Sequence, residues 1–511
     1  MITLAAGKPR SILLDIVVAL FLGLAASVSL VAAVTMEVKW LVFILSMVIC
    51  VAVFLVLQER ERFLIYVSVV LTSVFLSFHP IYVESAVFPW PVSGLRVSIF
   101  EVAFFFLFVS WMVRVVTGRA SQVQFFPWVS IPFLLIWCFS LAGISRASMP
   151  GVIKFSNMWL LLESWLIFLY FANNISGRRM VYNMVAAFLL TGVLQSVLGL
   201  AQYLSGATLG LGIFGETKSY NAMMAGAELV SRVSGTFGHP NNLAGYLGML
   251  VLINLALFWA PISRRLKWLL FPSFLLISTT LTLTYSRGAF LALSLGAAVT
   301  FYLCLFRRSK HRVVSLILST ALMVLFLIGV IALVSPLRQR LFEEDYGAAR
   351  TRIPMSWVAL NIIRHHPWLG VGLGNYTFEA PLYDISREGI SYEFPQPVHN
   401  EFLLIAAEQG LPSLVLFLVM LGYILRQLHR LSRSPDDPIG AFIAIGLFAT
   451  YITWCVFRQT DYVYVLLGDP FWLMAGLSVA MAKTPEAQAD GMSPEGNGSA
   501  GIPDNLLHKS A

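Results

Sequence analysis

The chain has 511 residues, of which 58% are hydrophobic and only 12% charged, with a mean hydropathy of +0.80. A soluble protein of this size would be about a quarter charged, so the composition excludes an ordinary soluble domain and points to a polytopic helical membrane protein. The net charge of +8 falls mainly in short loops between apolar runs, where it encodes orientation and gives no support for a nucleic-acid partner.

Apolar runs of spanning length predict an all-α membrane protein with about 12–14 transmembrane helices. In order they cover residues 12–34, 40–57, 63–79, 98–115, 127–145, 157–173, 181–203, 242–260, 267–284, 288–306, 313–335, 399–425, 438–456 and 463–482. The first reads as an anchor, not a cleaved signal, because no small-residue cleavage site stands out after MITLAAGKPRSILLDIVVALFLG. Basic residues recur at every second loop, among them Arg60 and Arg62, Arg114 and Arg119, Arg178 and Arg179, Arg264 and Lys267, Arg307 and Arg312, and Arg426 and Arg433. The positive-inside rule makes these loops cytoplasmic and places both termini inside. Loop 204–241, the turn at Arg287 and the long segment 336–398 then fall on the outer face. The chain divides into N-terminal spans (1–180), a central core (181–335), the large outer loop (336–398), C-terminal spans (399–482) and a disordered cytoplasmic tail (483–511). Cys50, Cys138, Cys304 and Cys455 each lie inside an apolar run and read as buried small hydrophobes.

Arginine or histidine at bilayer depth is costly, which makes such residues functional candidates. Ser231 to Asn242, SRVSGTFGHPNN, carries Arg232 and sets His239 at a helix entry. TYSRG places Arg287 between two spans with almost no loop. An arginine there either snorkels to the interface or clamps an anion with its planar fork, most naturally a lipid-linked phosphate. Arg350 and Arg352 open a segment in which Ile353, Trp357, Leu360 and Ile363 recur at helical spacing, predicting an amphipathic helix at the membrane surface. The two arginines read either as surface charge attracted to lipid headgroups or, with Arg287, as surrounding a diphosphate without a metal. GVGLG at 370–374 lacks the strand–turn–helix setting of a dinucleotide site and reads as flexible backbone. Glu343, Glu344 and Asp345 read as solvated charge, not a metal site. His399 lies in the first turn of a span, where the helix's positive end disfavours imidazolium and leaves a ring able to accept a proton. A lone histidine is often structural; Asn400, Glu401 and Glu408 are near enough in sequence to orient this one.

By their order and spacing, SGTFGHPNNLAGYL, TYSRGAFLAL, the R-x-R…W…HPWLGVGLGN block and VHNEFLLIAAEQGLPSL resemble the O-antigen ligase/polymerase superfamily of bacterial envelope glycosyltransferases. The similarity covers roughly residues 180–425. It implies a GT-C-like fold in the bacterial inner membrane, with a large periplasmic loop containing short helices over the site. It also implies an undecaprenyl-diphosphate-linked glycan as donor. The acceptor is expected to be a glycan or lipid A–core, and neither a cofactor nor a metal is expected. The family's arginine at the end of a span falls on Arg287, its large-loop arginine on Arg350 or Arg352, and its histidine near the loop's end on His399. In that scheme His399 takes a proton from an acceptor sugar hydroxyl while the arginines stabilise the departing undecaprenyl diphosphate. His239, Asn400, Glu401 and Arg232 are secondary candidates at the same rim. The alternative is a small-anion, bicarbonate-like transporter. That reading predicts paired ionisable residues at mid-bilayer and inverted repeats, whereas the charges here gather at one rim.

Overall fold

The computed structural model describes residues 42–48, 60–83, 94–120, 122–217, 222–225, 228–308, 311–333, 338 and 350–490. The predicted anchor at 12–34, Cys50, the acidic run at 343–345 and the tail from 491 lie outside the described residues. Helix α1 (Arg60–Leu71) leads into an antiparallel pair, β1 (Ser77–Tyr82) and β2 (Gly94–Ser98). The predicted span 63–79 is therefore helical only to Leu71. Thr72 and Ser73 bond back to the Val69 and Val70 carbonyls there, and Pro80 cannot extend a helix.

Long helices follow in sequence: α2 (Ile99–Val116), α3 (Pro127–Ile144), α4 (Gly151–Asn174) and α5 (Arg178–Ser205). A small hairpin, β3 (Ala222–Ala225) and β4 (Glu228–Ser231), precedes α6 (Pro240–Trp259), α7 (Arg264–Leu283), α8 (Arg287–Arg308) and α9 (Arg312–Leu333). The loop that follows carries α10 (Arg352–His365) and the single-turn helices α11 (Tyr376–Glu379) and α12 (Ile390–Glu393). The chain then returns through α13 (Glu401–Leu431), α14 (Pro438–Phe457) and α15 (Asp469–Asp490). Helix α15 continues past 483, where the tail was expected to begin. Among the described residues nine helices, α2 to α8 with α13 and α14, are long and apolar enough to cross a membrane. This is an all-α multi-pass membrane protein.

The C-terminal helices are built into the rest of the bundle. Helix α14 packs most extensively on α6, α15 on α4 and α13 on α3. Successive spans alternate in direction, so the starts of α6, α8 and α13 and the end of α14 come to one end of the molecule. Loops rich in arginine lie at the other end. There Arg307 donates to the carbonyls of Ser432 and Ser434, both at 2.7 Å. Cys304 is buried and Cys455 partly so, but Cys138 faces outward, in keeping with the lipid-facing side of a spanning helix.

Helix α13 is broken at Gly410, whose φ of 83° and ψ of 163° are non-helical. Irregular backbone at membrane depth survives only where protein satisfies its polar groups. The HPWLGVGLGN segment does this. Leu411 N–H donates to the Pro367 carbonyl (2.8 Å), while the freed Ala407 and Glu408 carbonyls accept from Val371 N–H (2.9 Å) and Gly372 N–H (2.8 Å). Pro412 has no N–H to offer the Glu408 carbonyl, which explains why that acceptor is available. The Glu408 carboxylate then accepts from Gly374 N–H (2.8 Å) and Tyr376 N–H (3.1 Å). Gly370, Gly372 and Gly374 all have positive φ, and a Cβ at Gly370 would run into the Ala407 and Glu408 backbone. The glycine segment is thus pinned backbone, correcting the expectation of flexibility.

Helix α10 buries Met355, Val358, Ala359 and Ile362, while Ile353, Trp357 and Leu360 face outward. It is apolar on two sides. One packs on the protein, leaving the other, which holds most of the predicted stripe, exposed.

Candidate active site

Local sequence sets each polar group at the rim. On α5, Gln195 and Gln202 stand two turns apart on one face. Gln202 Oε1 accepts from Ser234 N–H (3.2 Å) and Gly235 N–H (2.9 Å), and Gln195 Oε1 accepts from Thr236 N–H (3.1 Å). These bonds fasten the SGT turn and so fix Arg232 and His239 on either side of it. Arg232 is buried, donating from Nε to the Thr284 carbonyl (2.8 Å) and from Nη2 to Asn241 Oδ1 (3.1 Å). It ties the TYSRG turn to the first turn of α6.

His239 is the N-cap of α6, and its Nδ1 accepts from Asn241 N–H at 3.0 Å. That bond requires a lone pair on Nδ1, so the neutral ring carries its proton on Nε2. Burial is the main influence pushing the imidazole down to about 4, with Arg232, His399 and Arg352 acting the same way against Asp461. His239 is therefore a neutral capping group that presents an N–H. Between its folded value and the ordinary value near 6.5, the unfolded chain binds a proton that the folded chain does not. Stability is accordingly expected to fall by up to about 3 kcal/mol as pH drops from about 6.5 towards 4. Thermal unfolding in detergent across that range checks this, and His239→Asn should flatten the dependence while keeping a cap.

Arg287 is the first residue of α8, partly buried, beside a glycine that lies against Thr460 and Phe457. Tyr285, just before it, has a positive φ of 48°, a costly conformation for a non-glycine residue and one found at functional turns. Arg352 is partly buried, and its charge acts on His239, whereas Arg350 is exposed. The two arginines that sequence spacing left equivalent are thus separated by geometry.

His399 lies immediately before α13. Asn400 caps that helix, its Oδ1 accepting from Phe402 N–H (3.0 Å) and Leu403 N–H (3.1 Å), and its Nδ2 donates to Gln459 Oε1 (3.1 Å). Glu401 is 1% exposed and fully committed elsewhere, accepting from Val463 N–H (2.7 Å) and Val465 N–H (2.6 Å). Neither residue faces the imidazole, and Glu408 is spent on the glycine segment. The group beside His399 is Asp461, with Oδ1 at 3.5 Å from Nδ1. Tyr462 packs edge-on against the ring at 5.4 Å between centroids. A contact of 3.5 Å is long for a hydrogen bond, but base–orienter pairs commonly tighten in the reactive complex.

Burial pushes the Asp461 carboxyl up, but His399, Arg458 and His239 together hold it at about 2. It is therefore ionised throughout the physiological range. Its electrostatic contribution to stability is present above the ordinary aspartate value near 3.9 and is lost as pH falls through about 2. Sequence reading missed both Asp461 and Arg458. The signal was RQTD, a short polar insertion between two apolar runs on the side already assigned as outer.

Arg232, His239, Arg287, Arg352, His399 and Asp461 thus come from five separate stretches to one end of the bundle. The arrangement pairs a carboxylate-backed imidazole with three arginines. It can deprotonate a hydroxyl and stabilise an anion beside it. Among the described residues no group of three or more His, Cys, Asp or Glu is placed to hold a metal ion.

Residues 272–418 match the family model for O-antigen ligase. This match supports the O-antigen ligase/polymerase superfamily that the motifs resemble. No curated protein matches it. The O-antigen ligase segment runs from within α7 to within α13 and contains Arg287, Arg350, Arg352 and His399. Arg232, His239, Arg458 and Asp461 lie outside it, yet the fold delivers them to the same place. The match supports, in general terms, a membrane glycosyltransferase of the O-antigen ligase/polymerase type.

Proposed function

We propose that the site moves a glycan from an undecaprenyl-diphosphate-linked donor to a sugar hydroxyl, by a metal-independent inverting displacement on the outer face of the bacterial inner membrane. The observation that carries this reading is His399 backed by buried Asp461, with Arg232 and Arg352 acting on the same cluster and Arg287 at the same rim, next to the glycine that lies against Thr460. With its proton on Nδ1 facing Asp461, His399 offers the Nε2 lone pair to the acceptor hydroxyl. As that proton moves to Nε2, the oxygen attacks the anomeric carbon and the bond to the diphosphate oxygen breaks. The bonding electrons leave with undecaprenyl diphosphate, whose charge Arg287 and Arg352 offset. Asp461 stabilises the imidazolium that results. Diphosphate is already a good leaving group, so one base and two cations suffice. The arginine-rich loops at the opposite end support the sidedness through the positive-inside rule.

The test is transfer from a purified undecaprenyl-diphosphate oligosaccharide in nanodiscs, with lipid A–core and a second donor molecule offered as separate acceptors. Product on lipid A–core identifies a ligase, and a lengthened donor identifies a polymerase. Donor left unconsumed with both, and with a protein acceptor, overturns the reading. Two variants refine it. Arg352→Ala is expected to lower kcat/KM by about tenfold to a hundredfold, in line with loss of a charge-assisted contact to phosphate, and Arg350→Ala by less than about threefold. Asp461→Asn is expected to lower kcat by about a hundredfold with KM for the donor little changed, since it acts through the base.

A further inference from the structure

We propose that Arg458 is a positioning residue for this reaction, the buried cation in the cluster that holds Asp461 beside His399. The inference rests on the reading of His399 as the base. Arg458 closes α14 and is only 5% exposed. Its guanidinium lies over the Phe457 ring at 4.9 Å and near the Trp454 ring at 6.0 Å. Its Nη2 lies against α6, where a Cβ on Gly245 would come within 3.2 Å. The side chain is therefore packed among aromatic rings and the backbone of a neighbouring span.

Its charge acts on two buried carboxylates, Asp461 and Glu401. Among the described residues no group accepts a hydrogen bond from Nε or Nη1, and Asp461 Oδ2 likewise has no hydrogen-bond partner. The attraction is thus one of charge within a buried, low-dielectric cluster, not of the bidentate fit that distinguishes an arginine clamp on phosphate.

The backbone reinforces the arrangement. Glu401 N–H donates to the Arg458 carbonyl at 2.9 Å, while the Glu401 carboxylate holds Val463 and Val465. Asp461 is fixed from both sides, three residues after Arg458 and two before Val463. His399 is fixed by the same helix start. The titratable and charged groups facing Asp461 are His399 from before α13, His239 from before α6 and Arg458 from its own turn, with Glu401 beside them. Without Arg458, Asp461 and Glu401 would be two buried like charges, and taking up a proton relieves that repulsion. A protonated Asp461 no longer favours the imidazolium formed when His399 accepts the hydroxyl proton.

The test uses the full-length chain in the transfer assay above, with Arg458→Gln, Arg458→Lys, Asp461→Asn and the Arg458→Gln/Asp461→Asn double variant. Arg458→Gln is expected to lower kcat about tenfold or more with donor KM within about twofold, and Arg458→Lys to recover most of that loss. The double variant is expected to be no slower than Asp461→Asn alone, because the cation acts only through the carboxylate. Should Arg458→Gln alone fail to fold, the comparison of the double variant with Asp461→Asn still decides. Losses that multiply, or a raised donor KM with kcat unchanged, overturn the assignment. A wild type that consumes no donor overturns the transfer reading itself and this inference with it.

Discussion

His399→Ala is expected to lower glycan transfer by about 10²- to 10⁴-fold, the range for removing a positioned general base. The loss should appear in kcat, because the imidazole acts on a proton that moves only as the bond to the anomeric carbon forms. Its ring packs mainly against Tyr462 and Asp461 at the surface of the bundle, and its side chain is 25% exposed. Truncation therefore opens no buried cavity. The helix behind it keeps its cap on Asn400. Thermal unfolding in detergent should consequently stay within a few degrees of wild type. Folded protein that transfers at the wild-type rate would remove His399 from the chemistry and leave the arginines as a binding site only.

Gly410→Val is expected to destabilise the protein by about 3 kcal/mol or more, from left-handed strain combined with a backbone collision. The position has a φ of 83°, and a Cβ there would run into the Trp368 carbonyl. The collision is with main chain, which cannot swing away as a flexible side chain can. Relief requires the 367–376 segment to withdraw, breaking the bonds from Leu411 to Pro367 and from Val371 and Gly372 to α13. Limited proteolysis between Pro367 and Tyr376 should accelerate in parallel with the fall in thermal midpoint. Activity should drop as well, because the same segment is tied through the Glu408 carboxylate and the Tyr464 hydroxyl (3.4 Å) to the turn bearing Asp461. Unchanged proteolysis would mean that the glycine segment is held by something other than the break in α13.

Sequence by itself determined the class of the protein and the location of its polar rim. Hydrophobicity of spanning length and alternating basic loops are local properties, set by the bilayer and legible in one dimension. His399 and Arg287 stood out for the same reason, each a charge or imidazole interrupting an apolar run. Tertiary structure alone decided the partners. Glu401 and Asn400 adjoin His399 in sequence, but a helix start turns successive side chains in different directions and both are spent on backbone amides. Asp461, 62 residues further on, reaches the ring because α13 and α14 run antiparallel and return the chain to the same end. Arg350 and Arg352 were equivalent by spacing, and only the docking of α10 left one exposed and brought the other's charge to His239. The glycine run looked flexible because glycine permits many conformations. The carbonyls freed at Gly410 and Pro412 in another helix selected one of them.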